Sequence, residues 1–125
     1  AIHRLADLME ERADDLARLD ATNMGKPFAQ AKHDVARSVW NFRFFADHQR
    51  DAVGEVYPMD SGHHTYSEFG PAGVVAAISP WNFPLMMASW KIAPALAAGN
   101  SVLLKPAEQS PLSALRLAEL AAEVG

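Results

Sequence analysis

Apolar residues recur at helical spacing from the start of the chain. Ile2, Leu5, Met9, Ala13, Leu16 and Leu19 fall three or four positions apart, and Arg4, Asp7, Glu11, Asp14, Asp15 and Arg18 fill the other faces. The pattern predicts an amphipathic helix. Gly25 followed by Pro27 ends it, because glycine accepts a left-handed backbone and proline cannot continue the hydrogen-bond ladder. A second helix is predicted from about Phe28 to about Gln49, with an apolar, largely aromatic face of Val35, Val39, Trp40, Phe42, Phe44, Phe45 and Ala46. From Asp51 to Gly62 the periodicity dissolves into Gly54, Pro58 and scattered polar residues, which predicts a connecting loop.

The second half changes period. His64 to Phe69 reads as a short strand, half-exposed because Thr65, Ser67 and Glu68 are polar, and Gly70, Pro71 and Gly73 then force a turn. Val74, Val75, Ala76, Ala77 and Ile78 are apolar on both faces, as in a strand buried within a parallel sheet. A helical stretch from Leu85 to Ala98 ends at Gly99, and a second apolar strand, Val102, Leu103 and Leu104, follows; the crossover exceeds the roughly dozen residues that parallel pairing needs. Ser110 offers an N-cap oxygen and Pro111 a first helical position for a last helix. There Ser113, Arg116, Glu119 and Glu123 form one narrow polar stripe among leucines and alanines, which predicts that most of that helix is buried. The expected fold class is α/β: N-terminal helices, a strand, and a parallel β-α-β-α unit. The chain starts inside a helical pattern and stops at Gly125 where a helix would be capped, so it reads as a fragment.

Composition narrows the function classes. With 125 residues there is room for one core, and an apolar half with a formal net charge of -4 is ordinary for a globular protein and unpromising for nucleic-acid binding. No segment approaches the roughly 18 consecutive apolar residues of a membrane span, and no basic start precedes an apolar stretch, so the expected compartment is the cytoplasm without membrane association. Cysteine is absent, which removes disulfides, thiolate metal sites and a cysteine nucleophile from this chain's own repertoire.

Ligands in open α/β sheets bind beyond the carboxyl ends of the strands, and two segments lie there. The first is Ser79-Pro80-Trp81-Asn82-Phe83-Pro84, a stiff turn from which the Asn82 amide can donate to a developing oxyanion without itself changing protonation. The same residue can equally be a turn asparagine bonding its own backbone. The second is Lys105-Pro106-Ala107-Glu108, whose cation and carboxylate can grip the vicinal hydroxyls of a ribose, or can be a solvated pair at a strand end. No G-x-G-x-x-G accompanies them, so the ordinary dinucleotide fingerprint is missing. His63 and His64 would point to opposite faces of a strand and have no third ligand, so no metal site is expected. His33 and Asp34 read as solvated helix charges, since helix neighbours do not face each other.

The run Gly73-Val74-Val75-Ala76-Ala77-Ile78-Ser79-Pro80-Trp81-Asn82-Phe83-Pro84 resembles the P-W-N-F-P signature region of the aldehyde dehydrogenase superfamily. Trp90 to Asn100 is similar to the helix and turn that follow it there, and Leu104 to Leu112 to the family's K-P-[SA]-E ribose-binding segment. Leu5 to Pro27 resembles an early family helix and its T-G-K-P turn, with Asn23 and Met24 as small departures. The likeness covers nearly the whole chain, which would be the front third or less of a complete member, the N-terminal part of an NAD-binding domain without the catalytic domain.

The resemblance implies oxidation of a small aldehyde or semialdehyde to a carboxylic acid through a cysteine thiohemiacetal, with NAD as hydride acceptor. It implies that Asn82 donates to the oxyanion, that Lys105 and Glu108 bind the adenosine ribose, and that Ser79, Trp81 and Ala107 line the cofactor or substrate passage. A carboxylate at Glu108 would repel a 2′-phosphate, which favours NAD over NADP. The catalytic cysteine and a general-base glutamate would lie downstream, leaving these residues inactive alone. The strand at about 62–70 is similar to the start of the family's oligomerisation arm, which implies a homodimer or homotetramer for the intact enzyme. An NADP-linked or CoA-acylating relative, and a non-catalytic member of the fold, stay open as alternatives.

Overall fold

The computed structural model describes residues 1–60 and 62–125. Its first helix is bent into two, α1 (Ile2–Glu11) and α2 (Ala13–Met24), which meet at Arg12 with φ −103 and ψ 22. Arg12 still donates to the Leu8 carbonyl and accepts from the Leu16 amide, so the path bends without opening a loop. Gly25, at φ 73, caps α2 in the left-handed conformation that its sequence position predicts. Beyond Pro27, α3 (Phe28–His48) runs into a single 3-10 turn at Gln49–Asp51.

The third helix is the spine of the core. Ala31, Val35, Val39 and Phe42 are buried, and they join Leu5, Met9 and Leu16 from the first two helices to Leu85, Ala88 and Ile92 from a fourth. The aromatic face expected of α3 divides. Phe42 is buried, whereas Trp40 is 64% exposed and Phe44 lies outside with it. Positions 40, 44 and 48 fall four apart and form a stripe of their own, in which Trp40 stacks on Phe44 and Phe44 on His48 at 5.3 and 4.1 Å.

The segment expected to be only a loop carries a strand, β1 (Val56–Tyr57), paired antiparallel with β2 (Thr65–Tyr66). The second strand is shorter than the expected 64–69 and exposed throughout rather than half-buried. Gly54 anchors the ribbon: a Cβ there would stand 1.9 Å from the Ser67 carbonyl oxygen, so only glycine permits this approach.

The β-α-β unit forms as predicted. β3 (Val74–Ile78) and β4 (Ser101–Lys105) pair in parallel from Val74↔Ser101 to Ile78↔Lys105, with α4 (Pro84–Ala97) as the crossover. Asn100 fixes the joint between α4 and β4: its amide nitrogen donates to the Ala95 carbonyl at 3.0 Å and its side-chain oxygen accepts from the Gly73 amide at 3.0 Å. Burial of the sheet differs from expectation. Val75, Ala77, Val102 and Leu104 lean toward the helices, but Val74, Ile78 and Leu103 are 68%, 71% and 67% exposed. All described helices that touch the strands lie on one side, so the burial alternates with period two despite the uninterrupted apolar sequence.

The last helix, α5 (Leu112–Val124), buries Ala114, Leu117 and Leu120 against α1, α2 and α4. It is less covered than its composition predicts, with Leu115 55% exposed. Ser113, placed by sequence on the polar stripe, is instead buried, its hydroxyl beside the Asp20 carboxyl without a full hydrogen bond among the described residues. No described helix is long and apolar enough to cross a membrane.

Two carboxylates are buried between these layers. Asp34, expected to be a solvated helix charge, has a side chain only 7% exposed and pairs with the equally buried Lys26, which follows the Gly25 cap. Its sequence neighbour His33 stays exposed, so the two do point apart. Lys26 Nζ also stands 4.1 Å from the centre of the Phe83 ring. An ion pair so buried gives little net stability, but removing one partner strands the other charge in apolar surroundings. Asp20, from α2, has neither oxygen in a full hydrogen bond among the described residues and is 1% exposed. Burial pushes its carboxyl above the ordinary 3.8, while the Ser113 hydroxyl, Lys26 and the Leu85 amide pull it partly back.

A carboxyl whose folded value is raised binds its proton more tightly in the native state. Its contribution to stability is therefore complete below pH 3.8 and is lost as pH rises through the folded value. Asp20→Asn should remove that dependence and raise stability at pH 7 by about 1 kcal/mol. Urea midpoints of both proteins between pH 4 and 8 check this; parallel profiles would contradict it.

Candidate functional site

Parallel pairing puts the carboxyl ends of β3 and β4 side by side, and the two segments singled out by sequence leave from these ends. Ser79 is buried, and its amide donates to the Lys105 carbonyl at 3.1 Å, extending the ladder one step past the strands. The chain then turns through Pro80, Trp81 and Asn82 to Phe83, whose extended backbone (φ −139, ψ 69) opens α4 with Pro84 in the first turn. Trp81 is 57% exposed. Asn82 is also exposed and has no hydrogen bond among the described residues, so its amide is available to a ligand; the self-bonding turn reading finds no support there. It lies two residues ahead of α4, whose positive end favours negative charge near it.

The second segment turns at Ala107, whose carbonyl accepts from the Ser110 amide at 3.2 Å. Lys105 and Glu108 are exposed on either side of that turn. Lys105 Nζ donates to the Pro106 carbonyl at 2.9 Å, and no ion pair joins it to Glu108 among the described residues. Lys105 shares the uncovered face of the sheet with Ile78, its partner in register. An apolar cavity of about 320 Å³ lies between α4, α5 and β4, with Pro106 in its wall; Asn82, Lys105 and Glu108 stay outside it.

The two segments are joined a second time. Ser110 does not cap α5 as expected: its hydroxyl donates to the Trp81 carbonyl at 2.9 Å. The capping role falls to a residue from another helix. Asn23, at the end of α2, accepts from the Leu112 amide at 3.0 Å and donates to the Gln109 carbonyl at 3.2 Å. Sequence reasoning registered Asn23 only as a departure from a turn motif, because nothing local links position 23 to position 112. Asp20 was legible in principle, since it falls four residues after Leu16 on an otherwise apolar stripe.

The family model for the aldehyde dehydrogenase family matches residues 1–125. The chain belongs to that family. Among curated aldehyde dehydrogenases it is 47% identical over 125 residues to the NADP/NAD-dependent aldehyde dehydrogenase PuuC of Escherichia coli, covering 99% of this chain and 25% of that protein. It is 50% identical over 129 residues to phenylacetaldehyde dehydrogenase of Pseudomonas fluorescens, covering 98% and 26%. Among solved structures, PnpE from Pseudomonas sp. WBC-3 in complex with nicotinamide adenine dinucleotide superposes with a TM-score of 0.95 at 47% identity, covering 99% of this chain and 26% of that one. The chain thus spans about a quarter of the length of the relatives it matches.

Replacing Asn23 by alanine should destabilise this aldehyde dehydrogenase segment by about 1 kcal/mol, the usual effect of a lost N-cap. Chemical denaturation of the variant checks it, and hydrogen exchange should rise first at Leu112.

Proposed function

We propose that the protein is an NAD-dependent aldehyde dehydrogenase and that this chain supplies part of its cofactor site and its oxyanion donor. One observation carries the reading: both motif segments leave neighbouring parallel strands at the same end and are bonded to each other at Ser79 and at Ser110. Family membership and the nucleotide-bound relative support it.

The residues present fit the dinucleotide. Lys105 and Glu108 offer a donor and an acceptor on one turn, both open to solvent, and neither is consumed by the other. Glu108 accepts from the vicinal ribose hydroxyls and Lys105 donates to them, and the carboxylate disfavours a 2′-phosphate in the same place. Trp81 and Ala107 line the passage beside them, and Ser79 holds the two strand ends together. When bound, NAD supplies the hydride acceptor for the oxidation.

Asn82 acts on the substrate oxygen. Attack of a cysteine thiolate on the aldehyde turns the carbonyl oxygen into an alkoxide, and the Asn82 amide, fixed by the Pro80–Pro84 turn, donates to it while the α4 amides favour its charge. The sequence holds no cysteine, so the nucleophile comes from residues outside these 125, and the resemblance to the family assigns the glutamate base that releases the acid to the same outside region. We read the chain as the N-terminal part of the NAD-binding domain, and the strand at about 62–70, where β2 lies, as the beginning of an arm through which copies of the enzyme associate.

Steady-state kinetics of the full-length protein test the assignment. Asn82→Ala should lower kcat by about 10²–10³ and leave NAD affinity nearly intact. Glu108→Ser should weaken NAD and improve NADP; a native preference for NADP, which the dual-specificity name of PuuC makes worth measuring, would overturn the role given to Glu108.

A further inference from the structure

Ser110 is 1% exposed, and it holds two peptide groups at once. Its amide donates to the carbonyl of Ala107, which belongs to the peptide unit leading into Glu108. Its hydroxyl donates to the carbonyl of Trp81, which belongs to the peptide unit leading into Asn82. A peptide unit is planar, so holding its carbonyl oxygen restrains where the nitrogen and Cα of the next residue lie, and so the point from which that residue's side chain leaves the backbone. Ser110 is itself held on either side, because Asn23 bonds the Gln109 carbonyl before it and the Leu112 amide after it. A serine just before a proline at a helix start would ordinarily serve that helix. Here the cap is delegated to Asn23, and the hydroxyl is free to reach across to the other strand-end turn.

We infer that Ser110 is a positioning residue that sets the oxyanion donor Asn82 in register with the cofactor-binding turn of Lys105 and Glu108, with Asn23 holding Ser110 in place. The inference rests on the proposed function above and adds to it a residue that touches neither substrate nor cofactor. Ser110 acts through Asn82, so its loss appears in turnover. The Ala107 contact is made by the backbone and survives any side-chain change, so nucleotide binding is spared.

The test is a double-mutant cycle in the full-length enzyme, with kcat from steady-state turnover and NAD affinity from direct titration. Ser110→Ala should lower kcat about tenfold, since small misplacements of a catalytic group are costly, and should leave the NAD Kd within about twofold. Ser110→Thr, which keeps the hydroxyl, should restore most of the turnover. In the Asn82→Ala background, Ser110→Ala should change kcat by less than about twofold, whereas a general loss of stability would add its full effect. Should Ser110→Ala fail to fold, Asn23→Ala reads the same coupling: turnover falls in the native background and is unchanged beside Asn82→Ala. Undiminished turnover in Ser110→Ala, or full additivity with Asn82→Ala, overturns the inference. If Asn82→Ala itself turns over normally, it is the oxyanion role of Asn82 that fails, and the positioning role fails with it.

Discussion

Parallel pairing of β3 with β4 is the constraint from which the rest follows. Two strands running the same way must be joined by a crossover, and the crossover, α4, must return over the sheet. That arrangement delivers the carboxyl ends of both strands to one edge of the molecule, Ile78 opposite Lys105. The residues proposed to act on substrate and cofactor stand within a few residues of those two positions. An antiparallel arrangement of the same strands would have put Asn82 and Glu108 at opposite ends.

The helical layer turns that adjacency into a fixed geometry. The turn between α2 and α3 brings Lys26 beneath the Phe83 ring and against Asp34, and places Asn23 at the start of α5. The N-terminal helices are therefore more than packing material, since their one turn supports both strand-end segments from below. Buried charge in that turn contributes little net stability, yet a mispaired arrangement would leave a cation or carboxylate unsolvated, so the pair selects one way of docking the layers. Surface pairs such as Arg43 with Asp7 and Glu10 add little by comparison, being open to water and salt.

Much of this was legible in the sequence, and the failures share a cause. The helices, the β-α-β unit and the Gly25 cap followed from periodicity and turn chemistry, which are local. The candidate residues were singled out because they follow the strand ends, and the structure brings those ends side by side. What could not be read was which face met what. Val74 to Ile78 is uniformly apolar, and only the placement of helices on one side makes it alternate. Trp40 and Phe44 look like core by composition and lie outside because the buried stripe of α3 passes through Val35, Val39 and Phe42 instead. Ser110 sits where a cap belongs, but Asn23 reaches the same amide from 89 residues away. Local rules name the competitors for a hydrogen bond, and the tertiary fold decides between them.

Asn100 makes the joint between α4 and β4 a fixed-length one. Its side chain is bonded at once to the last turn of the helix and to the residue that opens the neighbouring strand. Surface connections usually tolerate extra residues. Here a single insertion before Ser101 would slip β4 by one place and exchange its two faces, turning Lys105 toward the helices and Leu104 toward water. Evolution can lengthen this protein elsewhere, but at that corner the distance between two backbones has become a ruler.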